Sequence, residues 1–144
     1  MLRILISLSF VLGMTSCSTV SSPSEVGTAI PKSDYTLTME FSPVPVEIDF
    51  TEKKLTSLSL STDEGLTQFP TRAFSDIEGL NEDYYQLHRY SDHLGLSLMS
   101  GDGAEVFNHY FTIKNNKVIS RTRSWIGPDS RGYHMKTYTD KLTL

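Results

Sequence analysis

From Asp34 onward, apolar and polar residues of this chain alternate. A period of two is the pattern of a β-strand with one face buried and the other in water. Tyr35, Leu37, Met39 and Phe41 alternate with Thr36, Thr38 and Glu40; after Pro43, Val44, Val46, Ile48 and Phe50 alternate with Pro45, Glu47 and Asp49. Proline cannot donate a ladder hydrogen bond, so Pro45 places its strand at a sheet edge or in an irregular stretch. Residues 51–54 read as a hairpin loop into a third strand, 55–61, where Leu58 and Leu60 share a face.

Residues 62–83 break the pattern. They carry Gly65, Pro70 and Gly79, and the apolar Leu66, Phe69, Phe74, Ile77 and Leu80 do not alternate. Phe74, Ile77 and Leu80 recur every three residues, which allows one short helix near 71–79 closed by Gly79. A stretch this long between strands would also suit a lid. Strands resume at 84–90 and 94–99, and Gly101-Asp102-Gly103 turns the chain into 104–113. Lys114-Asn115-Asn116-Lys117 forms a tight loop into 118–125, because asparagine tolerates positive φ. Residues 126–132, with Gly127-Pro128, form another loop before a last strand at 133–144. The expected domain is all-β: about eight antiparallel strands in a meander, forming a small barrel or a sandwich.

The N-terminus has a different character. Arg3 precedes a mostly apolar run from Ile4 to Leu12, followed by small residues and Cys17. The run is too short to span a bilayer, which takes ~20 apolar residues, but it suits a secretory signal. Met14-Thr15-Ser16-Cys17 resembles a lipobox, the cleavage motif of bacterial lipoproteins, with Met14 where leucine is usual. The resemblance covers residues 1–17 and does not extend to the β domain. It implies cleavage after a signal peptide of residues 1–16, a lipid on the Cys17 sulfur and an acylated amine. Several acyl chains together anchor stably, where one is marginal. Ser18 rather than Asp after the cysteine resembles the outer-membrane sorting pattern of cells with two membranes. Residues 17–33, with many Ser and Thr and few apolar side chains, read as a flexible tether, and 34–144 as a single β-rich domain.

Cys17 is the only cysteine, which excludes an internal disulfide. Charge is unevenly spread: residues 18–113 carry a net −10 and residues 114–144 a net +5. The basic end could meet an anionic surface or face the acidic remainder of the same domain. Nucleic acid is not an expected partner, given overall acidity and an export signal.

No catalytic chemistry stands out. His88 and His93 are five apart, Asp92 adjoins His93, and His109 shares a predicted strand face with Phe107 and Phe111. That spread lacks the convergence that zinc requires, and the Asp/Gly spacing lacks the oxygen series of a calcium loop. Glu47 and Asp49 lie on the polar face of one strand, and Asp102 and Glu105 flank a turn. Motifs for serine hydrolases, zinc proteases, phosphate loops and dinucleotides are missing, although a Ser/His pair can assemble across a fold. Tyr84, Tyr85, Tyr90, Phe107, Tyr110 and Phe111 could fill a core or line a pocket. The expectation is a membrane-anchored envelope lipoprotein without cofactor or metal, acting through an envelope protein or cell-wall partner and exposing an apolar or charged patch. The alternative is a barrel resembling the lipocalins that binds a small apolar or amphipathic ligand.

Overall fold

The computed structural model describes residues 25–47, 50–101, 105–128 and 135–144. The signal segment and Cys17 lie outside them, as do Asp49, Asp102 and Gly103. In chain order the strands are β1 (Thr28–Ile30), β2 (Thr36–Glu47), β3 (Phe50–Thr62), β4 (Gly65–Gln68), β5 (Leu80–Arg89), β6 (Leu94–Gly101), β7 (Val106–Lys114), β8 (Lys117–Pro128) and β9 (Met135–Thr143). They form two sheets: six strands in the order β1-β5-β6-β7-β8-β9, and three in the order β2-β3-β4. All described pairings are antiparallel. The expected all-β meander is present as a sandwich of two sheets rather than a closed barrel.

Three expectations are corrected. Residues 35–50 do not hold two strands: β2 runs through Pro43 and Pro45, and residues 51–54 lie in β3 rather than in a loop. Glu47 pairs with Phe50. The strand containing Pro45 is an edge strand, where its missing N–H is tolerated. β1 lies inside the segment read as tether, because three residues paired to β5 are too few to show a period. The short helix or turn allowed at 71–79 is present as one 3₁₀ helix, Thr71–Ala73. Phe74 and Ile77 are buried there all the same. Finally, β8 extends to Pro128, beyond the loop placed at 126–132.

The core lies between the sheets. Leu58 and Leu60 on β3, Leu87 on β5, Leu96 and Leu98 on β6 and Phe111 on β7 are completely buried. Phe69, just after β4, meets Phe111 edge to face at 5.2 Å. Each such side chain contributes about 1.5–3 kcal/mol on burial, so these residues hold the two sheets together. Two bulges bring side chains of mixed parity onto the buried side. Across β2–β3, Glu40 pairs with Ser57 and Phe41 with Leu55, leaving Thr56 as the extra residue. Leu55 and Leu58 can therefore both point inward. The Thr56 hydroxyl donates to the Glu40 carbonyl at 3.0 Å. Across β7–β8, Ile119 is the extra residue, and Val118 and Arg121 are both buried.

The sheets are also tied at their turns. Asn115 and Asn116 have φ of 52° and 56°, as a two-residue hairpin requires. The Asn116 amide donates to the Glu64 carbonyl of the β3–β4 turn at 2.8 Å.

Candidate contact surface

The two faces of the six-stranded sheet carry different chemistry. The inner face is apolar where the three-stranded sheet covers it; toward the end of β6, the start of β7 and the end of β8 it joins the polar Ser100 and His109 to the stacked Phe107 and Trp125. There Ser100 Oγ lies 2.8 Å from His109 Nε2, and the two residues are only 5% and 3% exposed. Ser100 pairs across the hairpin with Phe107, so His109 reaches it diagonally. The serine–histidine pair that sequence could not exclude thus exists, but buried, as a satisfied polar contact rather than in a cleft. Next to it Arg121, 5% exposed, donates to both carboxylate oxygens of Asp76 and, at 2.9 Å, to the Ala73 carbonyl. These bonds hold the Asp76 carboxyl below the ordinary aspartate range, against the opposing effect of partial burial.

The outer face of β6–β8 is different. Gly95, Thr112 and Ser120 form one row across the three strands; Ser97, Tyr110 and Thr122 form the next; Met99, Asn108 and Ser124 form the third. None carries charge, and on β9 Lys141 pairs with Thr122 of the second row. Tyr110 lies over Gly95: a β-carbon there would sit 2.0 Å from the tyrosine oxygen and 2.5 Å from its ring. Burial, and then the Tyr90 hydroxyl it faces, raise the Tyr110 pKa above the usual tyrosine value. Tyr90 in turn stacks on His93 at 4.4 Å with the rings 4° from parallel. The Asn108 Oδ1 is enclosed, with no hydrogen-bond donor among the described residues.

The other sequence candidates are dispersed. The six aromatics do not form one cluster: Phe111 is buried inside, Tyr84 is exposed, and Tyr110 lies on the outer face. His93 bonds Asp92 at 2.7 Å, and Asp92 bonds Lys114 at 3.0 Å. Those two contacts, His93 first, lower the Asp92 pKa to about 2. Lys114–Asp92 and Arg121–Asp76 show part of the basic C-terminal stretch meeting acidic residues of the same domain. Among the described residues no group of His, Cys, Asp and Glu could hold a metal. The Glu47 side chain lies outside what is described, and Glu105 is exposed.

A cleft of about 680 Å³ is a surface groove beside β1. Ile30, Pro31, Tyr90 and Arg89 help to line it. Arg89 is held there by ion pairs to Asp63, at 3.1 Å, and to Glu64. Leu66, 62% exposed, on β4 and Tyr84 on β5 are exposed large apolar residues. Alternation indicated which residues face outward. It could not indicate that the outward residues of three neighbouring strands would make one uncharged field, because that depends on strand order. No protein-family model, curated protein or solved structure matches the chain.

Proposed function

We propose that this chain is an envelope lipoprotein, held to a membrane by lipid on Cys17, whose β domain works by surface contact rather than by catalysis. The observation that carries the reading is Met14-Thr15-Ser16-Cys17 after an apolar run too short to span a bilayer. In a cell with two membranes, Ser18 favours the outer one. Ten residues separate Cys17 from β1, so the domain sits at most roughly 40 Å from its anchor. Support for contact over catalysis comes from the buried position of the one Ser–His pair. An enclosed ligand has less support, because the described strands form two sheets around a leucine- and phenylalanine-filled interior.

The test is fractionation of cells expressing the full chain and its Cys17→Ala variant, with mass measurement of the Cys17 peptide. The wild type belongs in the membrane fraction with a lipid-sized mass increment, and the variant in the soluble fraction. A variant that stays with membranes, or an unmodified Cys17, would end the proposal.

A further inference from the structure

We propose that the outer edge of β9 is a self-pairing surface: two copies of this chain join antiparallel along Met135–Lys141, about a two-fold axis at Tyr138. A sheet edge leaves a row of backbone N–H and C=O groups open to another strand, and proteins blunt such edges with short strands, proline or bulges. Of the four edges among the described strands, three are blunted in this way. β1 has three residues and β4 has four. β2 carries Pro43 and Pro45 and two register shifts against β3. β9 has nine residues, no proline and unbroken register against β8. Among the described residues nothing pairs with its other edge.

The charges of β9 select the strand that can lie against it. Lys136, Asp140 and Lys141 would meet an unrelated strand at random, whereas a second copy meets them in an order fixed by symmetry. Antiparallel partners either both aim their backbone groups at each other or both aim them away. Two copies of one strand can therefore pair only about a residue that faces itself, not about a point between two residues. Centring on Lys136, Asp140 or Lys141 sets like charges opposite each other, and centring on Thr137 or Thr139 pairs no opposite charges within the strand. Centring on Tyr138 sets Lys136 opposite the partner's Asp140, and Asp140 opposite the partner's Lys136. Opposite charges facing across a ladder attract and like charges repel, so this register is favoured. It also extends the row Phe107–Trp125–Tyr138 directly into the partner's equivalent row. Phe107 and Trp125 already stack in that row at 6.1 Å, and aromatic pairs opposite each other add to strand pairing.

The test uses the full chain carrying Cys17→Ala, which leaves no native thiol and makes the result independent of the anchor. Sedimentation equilibrium in a density-matched polyoxyethylene detergent is expected to show a monomer–dimer equilibrium. Lys136→Asp, opposite Gly127 in its own sheet, sets carboxylates against each other across the axis and should raise the dimer Kd at least about tenfold. Asp140→Lys should do the same with ammonium groups. An equimolar mixture of these two variants should regain the dimer, since each supplies the charge that the other lacks; circular dichroism and Tm report that both fold. Tyr138→Cys should cross-link on mild oxidation, because facing Cα atoms lie ~4.5–5.5 Å apart, within the reach of a disulfide. Thr137→Cys should not, because position 137 faces 139 and its two copies lie roughly 8 Å apart. A parent chain that stays monomeric up to ~1 mM would overturn the inference. So would a Lys136→Asp dimer as tight as the parent's, a mixture that stays monomeric, or equal cross-linking at 137 and 138.

Discussion

Arg121 on β8 and Asp76 in the β4–β5 connection form a two-pronged ion pair, Nη1 to Oδ1 at 2.5 Å and Nη2 to Oδ2 at 2.7 Å. The arginine is buried, whereas the aspartate side chain is half exposed. A cation in that position is tolerated because the carboxylate and the Ala73 carbonyl replace its water. Asp76→Asn is expected to lower stability by about 1–3 kcal/mol. Combined with Arg121→Met in a double-mutant cycle, it should show clear coupling in urea unfolding. The pH dependence follows from the lowered Asp76 pKa. The pair stabilises the fold above the ordinary aspartate value of 3.8, and that stability is lost as pH falls through the depressed native value. Asp76→Asn should remove this acid-dependent component; an unchanged acid limb would contradict the role given to the pair.

Two glycines make a graded comparison. At Gly95 an added methyl meets the end of the Tyr110 side chain, which can swing away; at Gly101, φ is +114° and the methyl meets the Glu105 carbonyl oxygen at 2.0 Å. Gly95→Ala should therefore cost about 1–3 kcal/mol. Gly101→Ala should cost at least about 3 kcal/mol, because backbone must move and an unfavourable φ is retained. Gly95→Ala should also lower the Tyr110 pKa toward the usual 10, read by ultraviolet titration, because the ring is displaced from its shielded seat beside Tyr90. Equal destabilisation by the two substitutions would count against this account.

The strands legible in the sequence are those whose alternation lasted. Leu94, Leu96, Leu98 and Ser100 face the interior, with Gly95, Ser97 and Met99 outward, as period two requires. Alternation failed where a bulge intervenes: Leu55 and Leu58 are both buried although their parity differs, and the extra residue Thr56 reveals itself only through pairing. The spacing of Phe74 and Ile77 suggested a short helix or turn; after Pro70 the chain makes one 3₁₀ turn, Thr71–Ala73, and both side chains beyond it are buried. The candidate surface was half legible. Its members could be named as outward-facing, but their adjacency is a property of the β6-β7-β8 order. The Ser100–His109 contact was invisible for a related reason, since it joins positions diagonal across a hairpin.

That contact yields its own prediction. With both residues buried, Ser100 Oγ satisfies a histidine nitrogen that has no access to water. Ser100→Ala should destabilise the domain by about 1–3 kcal/mol. A serine-directed fluorophosphonate should leave native Ser100 unlabelled, and unfolding should not expose a more reactive serine than any other. Rapid labelling of Ser100 in the folded protein would revive hydrolytic chemistry.

Asp92 tests how far exposed charges shape the β5–β6 turn. Its carboxylate accepts from His93 and Lys114, and its pKa falls to about 2, with the His93 bond the larger cause. His93→Ala and Lys114→Met should each raise the Asp92 value, as followed by carboxyl-carbon NMR titration. Salt should weaken the Lys114 contribution preferentially, because at 1 M the screening length is only ~3 Å. Any stability from this cluster is present above pH 3.8 and disappears as pH falls toward 2. An Asp92 titration unmoved by both substitutions would mean that neither contact sets it.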